Sequence, residues 1–313
     1  MDAQRNKTLR LSVEEGRPYL ERCLRITRPA ELREVVDRTI VGDAFQVLPL
    51  LPRASVDLLI ADPPYNLDKK FHGSAFRRLP EEEYEEYTAN WLELVRPLLK
   101  PTASLYVCCD WRSSAAVSRA LARFFTIRNR ITWQREKGRG SRSNWKNAME
   151  DIWFATVSAR CTFNLDAVRM RRRVIAPYRV DGAPKDWEET PDGNFRDTCP
   201  SNFWDDISVP YWSMAENTAH PTQKPEKLLA KLILASSNPG DLVLDPFAGS
   251  GSTAVTAKKL GRRFIGIEQN EQYCVWAEKR LENADSDPTI QGYADGVFWE
   301  RNTAAWQKKK RRS

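Results

Sequence analysis

The chain has 313 residues, 41% of them hydrophobic, with 49 basic against 42 acidic side chains and a formal net charge of +7. That size and composition predict one large domain, or one domain carrying a sizeable insertion, and exclude a disordered chain. The basic balance favours polyanionic partners, nucleic acid among them, without requiring one.

Six cysteines in so long a chain, with no CxxC pair and only His72 and His220 as histidines, read as reduced, mostly structural thiols and predict no metal site. The N-terminal stretch has no apolar leader, and no apolar run approaches the roughly 18 residues a membrane span needs. The expectation is a soluble, cytoplasmic protein with no membrane partner.

In chain order, residues 1–37 are charged and predict a peripheral arm with one helix. Residues 38–163 begin an alternation of strands and helices. Short strands are expected at Thr39-Ile40-Val41 and at Val56-Asp57-Leu58-Leu59-Ile60-Ala61, the second being nearly all apolar, as in a parallel sheet covered on both faces. It stops at Asp62-Pro63-Pro64-Tyr65, where two prolines forbid helix and ladder alike. A helix follows over 81–99, a strand at Ser104-Leu105-Tyr106-Val107-Cys108, a helix over 113–125, and strands at Ile131-Thr132-Trp133 and Ile152-Trp153-Phe154-Ala155. Between the last two lies 135–146, rich in Gly, Ser, Arg and Lys, which reads as a basic loop.

Residues 164–217 have no clear period and hold many prolines, tryptophans and charges, so they read as an inserted module. Residues 218–284 restore the pattern: a helix from Lys227 to Ser236, a strand at Leu242-Val243-Leu244, a glycine loop, a helix from Thr253, a strand at Phe264-Ile265-Gly266-Ile267, and a helix over 272–282. Residues 285–313 form an extension with a basic tail at 308–312. Strands alternating with helices predict an α/β fold with a doubly wound, mostly parallel, Rossmann-like sheet.

The sharpest motif is Asp245-Pro246-Phe247-Ala248-Gly249-Ser250-Gly251-Ser252-Thr253, placed after an apolar strand and before a helix. Glycines let the backbone turn tightly against a ligand, and the helix start offers free N–H groups to a polar or anionic head. No Lys follows Gly251, which disfavours a nucleoside triphosphate. Glu268 closes the next strand, where an acid can hold ribose hydroxyls. The second motif is Asp62-Pro63-Pro64-Tyr65. The rigid prolines aim the Asp62 carboxylate and the Pro63 carbonyl at one point, and two acceptors suit an –NH₂ group. Tyr65 adds a flat face, so the motif describes a pocket for a planar ring bearing an amine.

DPPY followed by FxGxG resembles the DNA amino-methyltransferases in their circularly permuted, beta-group order. The likeness runs from about Thr39 to Leu281 and takes in Val41-Gly42-Asp43-Ala44, His220-Pro221-Thr222-Gln223-Lys224-Pro225 and Ser236-Ser237-Asn238-Pro239-Gly240-Asp241. The resemblance implies a methyl donor, S-adenosylmethionine, in the glycine-loop pocket. Phe247, Gly249 and Gly251 then shape that pocket, with Asp245 and Ser252 beside them. Ser250 and Thr253 meet the donor's amino-acid end, Lys224 and Thr222 its carboxylate, Glu268 its ribose, and Asp43 with Ala44 its adenine. Asp62, Pro63, Pro64 and Tyr65 are the implied catalytic group, with Asp62 reaching both donor and acceptor.

The implied partner is double-stranded DNA, and the implied reaction is methylation of the N6 amine of a flipped adenine, since Asp-led DPPY usually marks adenine enzymes. N4 of cytosine stays open as the alternative, with an RNA methyltransferase or a catalytically silent DNA-binding homologue behind it. Segment 164–217 corresponds to the variable target-recognition region. DNA contacts are expected from Arg169, Arg171, Arg172 and Arg173 there and from Arg135, Lys137, Arg139 and Arg142 in the basic loop. Relatives of this kind are often dimers, so a homodimer is compatible with the resemblance, although no segment marks an interface.

Overall fold

The computed structural model describes residues 6–71, 74–135, 143–174, 178–191 and 193–300; Lys137, Arg139, Arg142 and the tail at 308–312 lie outside them. The main sheet is built from β1 (Arg38–Val41), β2 (Val56–Ala61), β3 (Leu99–Cys109), β4 (Thr126–Gln134) and β5 (Met149–Thr156), and later in the chain from β9 (Phe203–Trp204), β10 (Leu242–Asp245) and β11 (Arg263–Glu268). Its eight strands run in the order β1-β11-β10-β2-β3-β5-β4-β9. Every neighbouring pair is parallel except those made by β5, which runs against both β3 and β4.

Side chains alternate across a strand, and here both faces are covered. Leu59, Ala61, Leu105, Val107 and Leu244 pack on one side with Trp91, Leu92 and Val95 of α1 (Glu81–Val95) and Val117 and Leu121 of α2 (Ser114–Ala122). Leu58, Ile60, Tyr106, Cys108 and Val243 pack on the other with Leu228, Leu229 and Leu232 of α3 (Glu226–Ser236), Val255 of α4 (Ser252–Lys259) and Leu281 of α5 (Glu271–Ser286). The near-continuous apolar reading of β2 has this cause.

Three differences from the sequence reading have physical reasons. The helix expected over 81–99 ends at Val95 and tightens into a 3₁₀ turn, Arg96–Leu98. Pro97 offers no N–H to continue the α-helical ladder, so the chain tightens into the 3₁₀ turn and turns extended at Leu99, where β3 begins. The inserted segment does not stay clear of the main sheet, because β9 lies parallel to β4 at its edge. Its other strands, β6 (Met170–Arg173), β7 (Glu188–Thr190) and β8 (Gly193–Thr198), form a second sheet together with β12 (Tyr293–Ala294) and β13 (Val297–Trp299) from the C-terminal extension. β13 runs parallel to β6, and Phe195 and Trp299 meet edge to face.

The N-terminal residues lie against α5. Leu9, Leu11, Tyr19 and Leu20 pack on Tyr273, Val275 and Trp276, and the Trp276 indole donates to the Leu11 carbonyl. No helix among the described residues is long and apolar enough to cross a membrane.

Candidate active site

β2 and β10 are hydrogen-bonded neighbours, with Leu58 beside Val243 and Leu59 beside Leu244. The segments leaving their carboxyl ends carry Asp62-Pro63-Pro64-Tyr65 and the glycine loop, so two motifs far apart in sequence open on one cavity. Open α/β sheets hold ligands at this end. The cavity has a volume of about 310 Å³, within the range of small-molecule sites. Asp43, Asp62, Tyr65, Lys224, Phe247 and Glu268 all line it.

Glu268 ends β11, and both of its carboxylate oxygens accept backbone N–H bonds, Oε2 from Gly249 and Oε1 from Asn270, each at 2.8 Å. Burial pushes its carboxyl up, while those N–H groups work the other way. They also fix its direction. Each carboxylate oxygen has a second lone pair, so capacity remains for a ligand's hydroxyls. Gly249 and Gly251 adopt positive φ, 52° and 76°. Behind the loop, the Arg280 guanidinium donates to the Ser250 carbonyl at 2.8 Å and to Ser252 Oγ at 2.9 Å, and pairs with Glu226.

Asp245 is buried where β10 meets the loop. Burial pushes its carboxyl up to about 7, with Thr253 and the Phe247 N–H offsetting part of that. The folded protein therefore holds this proton more tightly than the unfolded chain does. Ionising Asp245 costs stability, with no penalty below the ordinary carboxylate range and the full penalty above about 7. Melting temperatures of the ligand-free protein are expected to fall from pH 5 to 8, and Asp245→Asn should flatten the slope. Glu216, also pushed up to about 7, leaves a residual slope in the variant. Equal slopes in the two proteins would contradict the assignment to Asp245.

The acceptor side is a closed charge network. Asp62 Oδ2 receives Lys224 Nζ at 2.6 Å. Asp62 Oδ1 is buried and finds no donor among the described residues. The Tyr65 hydroxyl donates to Glu150 Oε2 at 3.0 Å and accepts from Lys224 at 3.0 Å, which fixes the ring plane. Burial works against the Glu150 carboxylate, but Lys224 and then Arg135 outweigh it and hold its carboxyl below the usual range. Burial also works to lower Lys224, and the Asp62 and Glu150 charges reverse that and raise it.

The chemistry of such a site, an orphan carboxylate oxygen beside a tyrosine face and a glycine-loop pocket, matches what comparison finds. The family described as DNA methylase, of N6/N4 methyltransferases, matches residues 56–279. The chain belongs to this family. It is 38% identical to the DNA adenine methyltransferase YhdJ of Escherichia coli (strain K12) over 259 residues, 79% of this chain and 83% of that protein. It is 35% identical to the type II methyltransferase M.HpaI of Haemophilus parainfluenzae over 79% of this chain and 74% of that one. Among solved structures, M1.HpyAVI in complex with S-adenosylmethionine superposes with a TM-score of 0.52 at 25% identity, covering 78% of this chain and 98% of that one.

Within this N6/N4 methylase, three of the expected donor residues make contacts that the sequence did not display. Lys224, expected at the donor's carboxylate, has its ammonium on Asp62, Tyr65 and Glu150. Gly251 does not line the cavity. It starts α4, and a Cβ there would lie 2.6 Å from that of Ala277. The Asp43 carboxylate lines the cavity, but its Oδ1 also accepts from the Phe45 N–H and starts a helical turn.

Of the expected DNA contacts, Arg135 turns inward onto Glu150. Arg171 forks onto Asp197, its partner across β8, with two bonds of 2.7 Å, and its guanidinium lies over Trp299. It therefore holds the second sheet together. Arg169 pairs with Asp166 and Arg172 with Glu300, through largely exposed contacts.

Sequence reasoning missed Glu150, Tyr273, Asn270, Tyr87 and Phe45. The signal for Glu150 was available, since Glu150-Asp151 interrupts an otherwise apolar central strand, and both are buried. Tyr273 packs edge to face on His220 at 4.4 Å in the cavity wall. Nothing in its local sequence distinguishes it from a core aromatic.

Proposed function

We propose that this protein is an S-adenosylmethionine-dependent DNA methyltransferase that transfers a methyl group to the exocyclic N6 amine of an adenine turned out of the duplex. The observation that carries the reading is Asp62, which lines the cavity: one carboxylate oxygen is tied to Lys224, and the other is buried with no donor among the described residues. A buried acceptor left unpaired costs free energy, and an aromatic amine entering beside Tyr65 is the kind of group that satisfies it.

The donor supplies an electrophilic sulfonium methyl. Glu268 suits its ribose hydroxyls, the Asp245 and glycine-loop region its amino-acid end, and Phe45, Phe247 and Ile267 an apolar ring. Asp62 accepts the amine's N–H, draws its lone pair out of conjugation with the ring, and stabilises the positive charge that develops on nitrogen. Tyr65, held at its hydroxyl by Glu150 and Lys224, presents a fixed face for the base to stack on, a contact of the kind worth roughly 1–3 kcal/mol. The target amine is inaccessible inside a duplex, so the base leaves the stack. Arg169 and Arg172 are suited to phosphates, because exposed ion pairs of the kind they make are worth only about 0–1 kcal/mol and exchange readily.

An isotopically labelled methyl donor offered side by side with duplex DNA, RNA and protein tests the substrate class. Label is expected in DNA. Label in RNA or protein but not in DNA would overturn the reading.

A further inference from the structure

Lys224 has three protons to donate, and three oxygen groups surround it: Asp62 Oδ2 at 2.6 Å, the Tyr65 hydroxyl at 3.0 Å and Glu150 Oε2 at 3.3 Å. Its side chain is 7% exposed and that of Glu150 4%. The second oxygen of Glu150 is taken by Arg135. Two carboxylates, one ammonium and one guanidinium therefore close a neutral set around a single point. Adding a donor carboxylate to Lys224 would bring a third anion into a buried cluster with only two cations, a placement that desolvation penalises.

The backbone reinforces the arrangement. Lys224 directly precedes Pro225, whose ring fixes φ at −67° as α3 begins. Gln223 beside it is bound on both sides, accepting from Thr218 at 2.7 Å and donating to the Glu216 carbonyl at 2.6 Å. A lysine on so rigid a segment places its head group closely, and the head group in turn places Asp62.

We infer that Lys224 is a positioning residue for Asp62, held in place by Glu150, and not a ligand of the donor's carboxylate. This rests on the reading of Asp62 as the acceptor of the target amine. With Oδ2 held by Lys224, Oδ1 is the oxygen without a donor, and the one left to accept the amine's N–H. Glu150 holds Lys224 and the Tyr65 hydroxyl together, so one buried carboxylate on β5 sets both the acceptor oxygen and the stacking face. Misplacing a reacting group by about 1 Å can cost on the order of a hundredfold in rate, which is the scale of effect a positioning residue controls.

The test separates rate from donor affinity. Lys224→Met and Glu150→Gln are compared with the wild type for donor Kd by titration calorimetry and for single-turnover methyl transfer at saturating donor and DNA. Lys224→Met is expected to lose about a hundredfold in single-turnover rate while its donor Kd stays within about threefold of wild type. Glu150→Gln keeps the shape and leaves Lys224 on Asp62, so a smaller loss, about tenfold, is expected, again with donor Kd unchanged. Near-normal donor binding also shows that each variant is folded. A donor Kd weakened tenfold or more in Lys224→Met, with wild-type rate at saturation, would overturn the inference and return Lys224 to the donor carboxylate. Asp62→Ala measured alongside keeps the two ideas apart. If it is inactive while Lys224→Met turns over normally, only the positioning role falls. If Asp62→Ala itself turns over normally, the reading of Asp62 falls first.

Discussion

Asp62→Ala is expected to reduce methyl transfer by about a hundredfold to a thousandfold or more, the loss typical when one preorganised electrostatic group is removed from a transition state. The amine loses the acceptor at Oδ1, and Lys224 loses the carboxylate at Oδ2, leaving its charge to Glu150 and the Tyr65 hydroxyl. Donor binding should survive within a few-fold, because Glu268, Asp245 and the glycine loop stand on other strands and make their own backbone bonds. Rate measurements at saturating donor, with calorimetry as the binding control, check both halves. Turnover within tenfold of the wild type would mean that Asp62 is not where the amine is held.

The second large effect is structural. Gly251→Ala places a Cβ 2.6 Å from the Ala277 Cβ and 3.0 Å from its Cα, on a backbone with φ of 76°. The neighbouring atoms belong to α5, which cannot yield as a flexible side chain could. Left-handed backbone costs a non-glycine residue about 1–2 kcal/mol, and overpacking adds roughly 1–3 kcal/mol. A melting temperature lower by about 5–10 °C is expected. Donor affinity should fall with it, because Gly251 joins Ser250 and Ser252, the two residues that Arg280 holds from behind. Gly261→Ala, at a positive φ with open space around its Cβ position, is the control. It carries the backbone strain without the clash and should leave donor affinity unchanged. Equal losses in the two variants would show that the contact with Ala277 is not what matters.

How much of this is legible in the sequence follows from distance along the chain. The DPPY and glycine-loop motifs are local and each sits at the end of an apolar strand, so both can be found in the residues; that the two strands are neighbours and open on one cavity is shown by the fold. Glu268 can be found for the same reason. The role of Lys224 cannot, because its meaning depends on partners 162 and 159 residues away. Family likeness puts it on the donor, and the three-dimensional charge balance puts it on Asp62. The pairing of Arg171 is hidden in the same way. In sequence it is one of a run of arginines that invites a phosphate contact, whereas across the β6–β8 pair it faces Asp197. The C-terminal extension reads as a tail because β13 is short, yet Phe298 is fully buried once it packs beside α3. Non-local pairing decides all three, and a single sequence does not display it.

If this pocket methylates the N6 amine of adenine in DNA, the methyl group must be found on that nitrogen. Nucleoside mass spectrometry on duplex DNA incubated with the purified protein and a deuterated methyl donor tests it most directly. Labelled N6-methyladenine is expected, and it is absent when Asp62→Ala replaces the wild type. Labelled N4-methylcytosine with no N6-methyladenine would contradict it.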